Sequence, residues 1–309
     1  MKFTDNDKAV IALTTRLGNK ARPSLSTGHW HSFVQGLHDE GLAPSDLFSG
    51  RLPRLSDENR DRVVALLADA ASVLVAADEL ANRGIWLRTI ASDQYSSLLR
   101  ERLGSQAPPV IFGVGNAALL DSAGVGIVGS REVGIDGARV AEQIAEEAVR
   151  LGFHVVSGAA RGVDQVAMNA GYRAAGSVVG VLADSLQERI RTTDVITALD
   201  VGTTCMVSQQ HPAAGFSAGA AMARNKLIYA LSQVTVVVAS DLEAGGTWGG
   251  ATEALRNRYG RVAVWRGPGE GAGNVRLEDL GAKALRKAAD LESVLVAETP
   301  NPVQISLIP

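Results

Sequence analysis

The stretch GVGIVGSREVG, residues 124–134, decides how the chain is interpreted, because it resembles a dinucleotide-binding fingerprint at first sight. Gly124, Gly126 and Gly129 match the pattern G-x-G-x-x-G. In a dinucleotide-binding fold these glycines follow the first strand, and an acidic residue ends the second strand about 20 residues later. Here two of the glycines lie within the apolar run, and the next run ends in HVVSG without a carboxylate. We therefore interpret the stretch as a strand followed by a different phosphate-sized loop, and we expect no cofactor.

Outward from this stretch, short apolar runs alternate with segments of helical periodicity over residues 105–290. Runs such as FHVVSG, SVVGVLA, TTCMVSQ and VTVVVAS are typical of parallel strands that are buried on both faces. The pattern predicts an α/β fold, an extended Rossmann-like, doubly wound parallel sheet. Helices are expected between the strands, at residues 136–151, 163–175, 187–199, 217–231 and 248–258.

The flanking regions have other patterns. Residues 1–83 carry apolar side chains at helical spacing, as in DKAVIALTTRLG, and predict a small all-α domain that precedes the sheet. Residues 84–104 are interpreted as a connecting segment, and residues 291–309 as a C-terminal tail. The whole chain therefore reads as a helical domain joined to a larger α/β domain.

Composition limits the classes of function. The 309 residues are 46% hydrophobic and carry a net charge of −3, so any nucleic acid has to bind at a local basic patch rather than through overall charge. A single cysteine, Cys205, excludes an intramolecular disulfide and a multi-cysteine metal site, and we expect no metal. The N-terminus has no signal-peptide pattern and no apolar run is long enough for a bilayer, which indicates a cytoplasmic protein without a membrane partner.

Several groups suited to anions follow strands or begin helices. Any one of them is also an ordinary strand-to-helix turn, but the ends of parallel strands meet at one edge of a sheet, where ligands of this fold class bind. Glycine allows close backbone approach, and guanidinium, ammonium and hydroxyl groups donate to phosphate oxygens. The convergence predicts a phosphate-rich ligand. The candidate residues are Gly129, Ser130 and Arg131; Ser157, Gly158, Arg161 and Asp164; Arg224, Asn225 and Lys226; and Gly245, Gly246 and Thr247.

The segments PPVIFGVGN, VGIVGSR, GFHVVSGAARGVDQVAMNAG and ARNKLIYALSQVTVVVAS resemble, in order and approximate spacing, the DNA-processing protein A (DprA, also called Smf) family. The resemblance implies a non-enzymatic protein that binds single-stranded DNA, forms homodimers and loads a recombinase in natural transformation. By motif it assigns phosphate contacts to Ser130 and Arg131 of G-S-R and to the element around Ser157, Gly158, Arg161 and Asp164. Arg224, Asn225 and Lys226 stand where the family has R-N-R.

Departures from the family pattern indicate a divergent member. The family's tyrosine-proline pair is replaced within ADSLQERI, its serine-glutamate by Ser208-Gln209, and its S-G-S-L-x-T-A loop by AGGTWGGATEA. No segment resembles the family's C-terminal winged-helix domain. The changed loop resembles in part that of LOG phosphoribohydrolases, which are nucleotide-processing enzymes.

Two alternatives to the DNA-binding hypothesis therefore stay open. The first is a nucleotide-binding or nucleotide-hydrolysing enzyme, in which Glu253 would be catalytic; the competing interpretation is that Glu253 is a first-turn helix residue stabilised by the helix dipole. The second is a regulatory subunit, an antitoxin or sensor that restrains a toxin or effector protein in a phage-defence or toxin–antitoxin pair. The apolar runs RNKLIYALSQVTVVVAS and AETPNPVQISLIP could serve an interface, although core burial explains the first equally well.

Overall fold

The computed structural model describes residues 2–19, 21–191 and 193–296. Within these residues one sheet of nine strands forms, in the order β1-β2-β6-β5-β4-β3-β7-β8-β9. In chain order the strands are β1 Trp86–Thr89, β2 Val110–Gly115, β3 Gly124–Val128, β4 Val155–Ser157, β5 Val178–Val181, β6 Thr204–Ser208, β7 Ser232–Val237, β8 Arg261–Trp265 and β9 Lys283–Leu285. The α/β class and the Rossmann-like arrangement predicted from the sequence are confirmed.

The sheet departs from the predicted parallel arrangement at one edge. Strands β3 to β9 pair in parallel, but β2 is antiparallel to β6, and β1 is antiparallel to β2. Strand β2 therefore begins where β6 ends, with Phe112 opposite Ser208. This reversal brings the start of β2 to the carboxyl edge of the parallel strands.

Helices cover both faces of the sheet because the strand residues alternate between two apolar layers. Val155 belongs to one layer and its neighbour Val156 to the other. In chain order the helices are α1 Asp5–Thr14, α2 Thr27–Asp39, α3 Asp57–Ala68, α4 Ala70–Asn82, α5 Ser97–Leu103, α6 Ile135–Arg150, α7 Val163–Arg173, α8 Leu186–Arg189, α9 Thr193–Asp200, α10 Ala218–Ala230, α11 Gly245–Asn257, α12 Asn274–Asp279 and α13 Asp290–Val296. The single helix expected at 187–199 is thus two short ones, and α11 begins three residues earlier than expected.

The N-terminal helices share their apolar core with the sheet. Residues of α1 to α4 and of β1 and β2 belong to the same buried cluster as one face of the parallel strands. Thr4, Ser26 and Ser56 accept hydrogen bonds from backbone amides at the starts of α1, α2 and α3, as helix-capping side chains do. Helices α1 and α4 therefore pack on β1 or β2, while α2 and α3 pack on other helices of the N-terminal part. The helical pattern of residues 1–83 predicts these four helices.

The segment 84–104 is more than the connection we expected, because it contains β1 and α5. The Arg102 guanidinium donates hydrogen bonds to the carbonyl oxygens of Ala230, at 3.0 Å, and Ser232, at 2.6 Å, where α10 passes into β7. Burial lowers the pKa of Arg102, and the neighbouring Glu101 carboxylate opposes this shift. The segment is thus fastened to the middle of the α/β part.

The C-terminal end also differs from the expected tail. Residues Asp290–Val296 form α13, and Leu291, Val294 and Leu295 are buried against the sheet. The remainder of the expected tail, including the run AETPNPVQISLIP, lies outside the described residues. The division of the chain into domains at residues 83, 104 and 290 stays a prediction. In the described part of the chain, no helix has the length and apolar character needed to cross a bilayer.

We expect Arg102→Met to lower the free energy of unfolding by about 2–3 kcal/mol, because two carbonyl groups lose a charged donor. Chemical denaturation measures this difference. Arg256→Met, at an exposed position of α11, is the matched control and should change the free energy of unfolding by less than about 0.5 kcal/mol. Equal effects of the two substitutions would contradict the structural role of Arg102.

Candidate nucleic-acid interface

A cleft of about 370 Å³ opens at the carboxyl edge of β3, β4 and β5. Four arginine side chains of the described chain line it together with the ring of Phe216, and we call it the arginine cleft. Its lining residues are Arg131, Gly158, Ala159, Ala160, Arg161, Gln165, Ala183, Asp184, Arg189, Phe216 and Arg224. They come from the loops and helix starts that follow three neighbouring strands, from α8, and from α10 with the segment before it. Ligand sites of open α/β sheets lie at this edge.

The loop after β3 brings Arg131 into the cleft. A Cβ atom on Gly129 would lie 2.7 Å from a methyl group of Val163, so only glycine lets this loop approach α7 so closely. The Ser130 hydroxyl bonds to the backbone amide and carbonyl of Glu132, at 3.1 and 3.2 Å, and does not line the cleft. Gly129 and Ser130 therefore shape the loop, and Arg131 is the residue of this loop that lines the cleft.

Arg131 stacks on an aromatic ring rather than pairing with a carboxylate. Its guanidinium carbon lies 4.9 Å from the ring centroid of Phe216, which is 55% exposed. No carboxylate of the described residues lies within ion-pair distance of Arg131. Glu132 pairs instead with Arg161, and Asp164 pairs with Arg224. The charge of Arg131 is thus available to an anion, and its orientation is held by the Phe216 ring.

The loop after β4 combines structural and exposed groups. The Ser157 hydroxyl is fully buried and donates to the carbonyl oxygen of Ile127 at 2.6 Å, so it joins β4 to β3 and does not reach the cleft. Arg161 is exposed and lies 3.4 Å from the Glu132 carboxylate, an exposed pair that water screens. Ala159 has a positive φ of 53°, and its carbonyl oxygen accepts from Arg189 at 3.3 Å.

Arg224 and Asp164 form a buried ion pair beneath the cleft. The Arg224 Nη1 atom lies 3.3 Å from the Asp164 Oδ2 atom, and both side chains are more than nine-tenths buried. Burial raises the pKa of Asp164, whereas the Arg224 charge and the backbone amides of Ala160 and Gly158 oppose this shift. Asp164 therefore holds the glycine loop and Arg224 in place, while Arg224 lines the cleft.

The structure does not bring the other two residues of the R-N-K cluster to the cleft. Consecutive residues of a helix point about 100° apart, so Asn225 and Lys226 face away from the side that carries Arg224. The Asn225 amide donates to the Gly246 carbonyl oxygen at 2.9 Å. The Lys226 ammonium lies 3.0 Å from the Glu253 carboxylate. Both side chains join α10 to α11.

The Gly245–Thr247 loop begins α11 outside the arginine cleft, since none of its residues lines the cleft. Because α11 starts at Gly245, Glu253 is in the third turn, and its interpretation as a first-turn residue stabilised by the helix dipole is wrong. Its carboxylate instead pairs with Lys226 and accepts from the Tyr259 hydroxyl at 3.3 Å. Burial raises the pKa of Tyr259 to about 12, so this hydroxyl stays protonated as a donor.

The cleft also contains residues that we did not select from the sequence. Arg189 and Asp184 follow β5, and their side chains pair at 3.1 Å. Both lie in ADSLQERI, the segment that departs from the family's tyrosine-proline pattern. Their position after a parallel strand was a signal that could have identified them. Phe216 lies in the glycine- and alanine-rich segment before α10, where a lone aromatic residue was the available signal.

The sequence matches the family model described as DNA recombination-mediator protein A over residues 86–295. The chain belongs to this family. It is similar to DNA processing protein DprA of Bacillus subtilis (strain 168), with 30% identity over 306 residues, which cover 92% of this chain and 95% of that relative.

Two solved structures of DNA processing protein A share the fold of this family member. The protein from Streptococcus pneumoniae has a TM-score of 0.64 and 19% identity, with 95% of this chain and 98% of that chain covered. The protein from Helicobacter pylori, whose structure is described for a single-stranded DNA binding mode, has a TM-score of 0.55 and 23% identity, with 68% and 95% covered. These likenesses agree with the Rossmann-like sheet described above.

We expect Gly158→Ala to lower the free energy of unfolding by about 3 kcal/mol, because the new methyl group must displace the buried ion pair. A Cβ atom there would lie 1.3 Å from the Arg224 guanidinium and 2.6 Å from the Asp164 carboxylate. Chemical denaturation measures the loss. Gly219→Ala, a helical position with open space around it, is the matched control and should stabilise by up to about 1 kcal/mol. Unchanged stability in Gly158→Ala would contradict the close packing under the cleft.

Proposed function

We propose that this member of the DNA recombination-mediator protein A family binds single-stranded DNA, with a phosphate held in the arginine cleft. The observation that carries the proposal is the convergence of four guanidinium groups on one cleft in a chain whose net charge is −3. Phosphate recognition needs positively charged donors in a fixed arrangement, and arginine supplies a planar fork that matches two phosphate oxygens.

The four arginines have different roles in this proposal. Arg161 and Arg189 have acidic neighbours at 3.4 and 3.1 Å, and Arg224 pairs with Asp164 at 3.3 Å. These carboxylates reduce the positive charge of the cleft, but Arg161 and Arg224 keep guanidinium N–H groups for other acceptors. Arg131 adds a charge without a carboxylate within ion-pair distance among the described residues. We therefore assign the strongest single phosphate contact to Arg131.

Phe216 supports a single strand rather than a duplex as the ligand. Its ring is largely exposed beside Arg131, although large apolar side chains are usually buried. An exposed aromatic ring next to a cation is a stacking surface for an unpaired base, and every base has a π-face. In a duplex the bases stack on one another and are not accessible to such a ring.

The relatives support the same substrate class. The Helicobacter pylori protein is described for its single-stranded DNA binding mode, and the family description names a mediator of DNA recombination. We propose a role in DNA processing and recombinase loading on this basis. Homodimerisation, natural transformation, a cytoplasmic location, and a recombinase or a toxin or effector as partner stay predictions.

The proposed binding site excludes several of the residues selected from the sequence. Ser130, Ser157 and Asp164 shape the loops, and Asn225 and Lys226 join α10 to α11, so they act on DNA only through the structure that they hold. The nucleotide-hydrolase alternative gains no support from Glu253, because its carboxylate already pairs with Lys226 and does not line the cleft.

Arg131→Ala should weaken binding of an unstructured oligonucleotide about tenfold near 0.1 M salt and lower the salt slope by about one unit, because one phosphate contact is lost. Arg131→Lys keeps the charge without the fork and should bind with intermediate affinity. Fluorescence anisotropy across a salt series gives both quantities.

Arg150→Ala is the matched control, since Arg150 ends α6 at the opposite edge of the sheet and is exposed. It should leave affinity and salt slope close to those of the unaltered protein. Unchanged DNA affinity in Arg131→Ala, together with reduced thermal stability, would give Arg131 a structural role and reject the phosphate contact. Absence of binding by the unaltered protein even at low salt would overturn the proposed function.

Phe216→Ala should weaken binding by about 10- to 100-fold without changing the salt slope, because base stacking contributes about 1–3 kcal/mol and involves no counterion release. Phe216→Trp should restore the affinity. Phe48→Ala replaces another exposed phenylalanine, 44% exposed in the N-terminal helical part, and should have no effect. A salt-dependent loss in Phe216→Ala would instead mean that the ring acts only by holding Arg131.

A further inference from the structure

A second and larger cleft, of about 730 Å³, lies between the N-terminal helices and the sheet. Its walls are the end of α1, the segment before α2, the start of β2 and the loop that follows β6. We call it the helix–sheet cleft. None of the candidate phosphate-binding residues lies in it, and the arginine cleft does not include any of its lining residues.

The two clefts are neighbours at one edge of the sheet. Because β2 runs against β6, its start lies beside the carboxyl ends of the parallel strands. From β4 to β2 there are three strand spacings, about 14 Å at about 4.8 Å each. Two pairs of consecutive residues separate the clefts. Gly215 and Ala223 line the helix–sheet cleft, and the residues that follow them, Phe216 and Arg224, line the arginine cleft. A chain that leaves the arginine cleft past Phe216 therefore reaches the second cleft within a few nucleotides.

The charge of the helix–sheet cleft fits an anionic chain. Its lining residues include one arginine, Arg16, and no aspartate or glutamate. Arg16 is exposed at the end of α1, and no carboxylate of the described residues lies within ion-pair distance. The hydroxyl group of Thr27 adds a polar atom to the lining, whereas those of Thr14 and Thr15 donate to backbone carbonyl oxygens of α1. Such a surface attracts phosphate without the acidic neighbours found in the arginine cleft.

Gln209 gives the same cleft a donor that the protein itself does not use. Its side-chain nitrogen Nε2 is buried and has no hydrogen-bond acceptor in the described structure, although Gln209 lines the cleft. A buried polar atom without a partner is uncommon and requires an explanation, and an acceptor supplied by a ligand is one such explanation. A glutamine amide can both donate to and accept from the edge of a nucleobase. The donor therefore points to a base beside the loop after β6.

We propose that the helix–sheet cleft binds the next nucleotides of the DNA strand whose phosphate occupies the arginine cleft. Arg16 contacts a phosphate of this extension, and the Gln209 amide contacts a base edge. The inference rests on the proposed function, because it needs the strand to be anchored at Arg131. It adds the N-terminal helices to the DNA-binding surface and makes the affinity depend on oligonucleotide length.

The test compares two unstructured oligonucleotides of about four and about twelve nucleotides, within the range that single-strand binding modules cover. Arg16→Ala should weaken binding of the longer oligonucleotide several-fold and lower its salt slope by about one unit, while the shorter one binds as before. Gln209→Leu should also weaken only the longer complex, without loss of thermal stability, because it removes an unpaired buried donor. Arg60→Ala, an exposed arginine of α3 outside the cleft, is the charge-matched control and should bind both oligonucleotides normally.

The outcomes separate this inference from the function on which it rests. If the unaltered protein binds neither oligonucleotide, the proposed function fails. If Arg131→Ala weakens both complexes but Arg16→Ala and Gln209→Leu match Arg60→Ala with the longer one, the extension is overturned and the arginine cleft stands. If Arg16→Ala changes only the oligomeric state measured by sedimentation, the helix–sheet cleft holds a second copy of the chain, which also overturns the extension.

Discussion

The buried contact between Arg224 and Asp164 is the constraint on which the candidate site depends. A charged pair that is more than nine-tenths buried needs further hydrogen bonds to offset its loss of hydration. Asp164 accepts them from two backbone amides of the loop after β4, whereas the buried Nε atom of Arg224 has no partner among the described residues. The Asp164 carboxylate thereby joins the start of α7 to the loop after β4 and to the Arg224 guanidinium of α10. The loop must have glycine at position 158 because the Arg224 side chain occupies the space where a Cβ atom would stand.

The four arginines of the cleft around this ion pair differ in burial and in pairing. Arg224 is buried and paired, Arg189 and Arg161 are more exposed and paired, and Arg131 is held by an aromatic ring instead of a carboxylate. Pairing orients each side chain and limits the positive charge that must be gathered at one sheet edge. The arrangement explains how a chain with a net negative charge can present a local site for phosphate.

The parallel strands could be predicted from the sequence, because buried strands are apolar runs. The edge of the sheet at which the candidate site lies could also be predicted, because loops after parallel strands meet there. It could not give the direction of β2 or the presence of β1, because a four-residue strand leaves little periodicity and its partner is set by tertiary packing. Arg131, Gly158, Arg161 and Arg224 were found because loops after parallel strands converge. Asn225 and Lys226 do not line the arginine cleft with Arg224, because neighbouring residues of a helix do not share a face. Phe216 and Arg189 were missed because their place in the cleft depends on side chains that are distant in the sequence.

The apolar core that runs from the N-terminal helices into β1 and β2 has a mechanical consequence for the gap between them. Both walls belong to one packed interior, and packed interiors have low compressibility. Widening the gap would expose apolar surface of α1 or β2 to water. A ligand that needs a wider opening would therefore bind only at the cost of exposing this apolar surface.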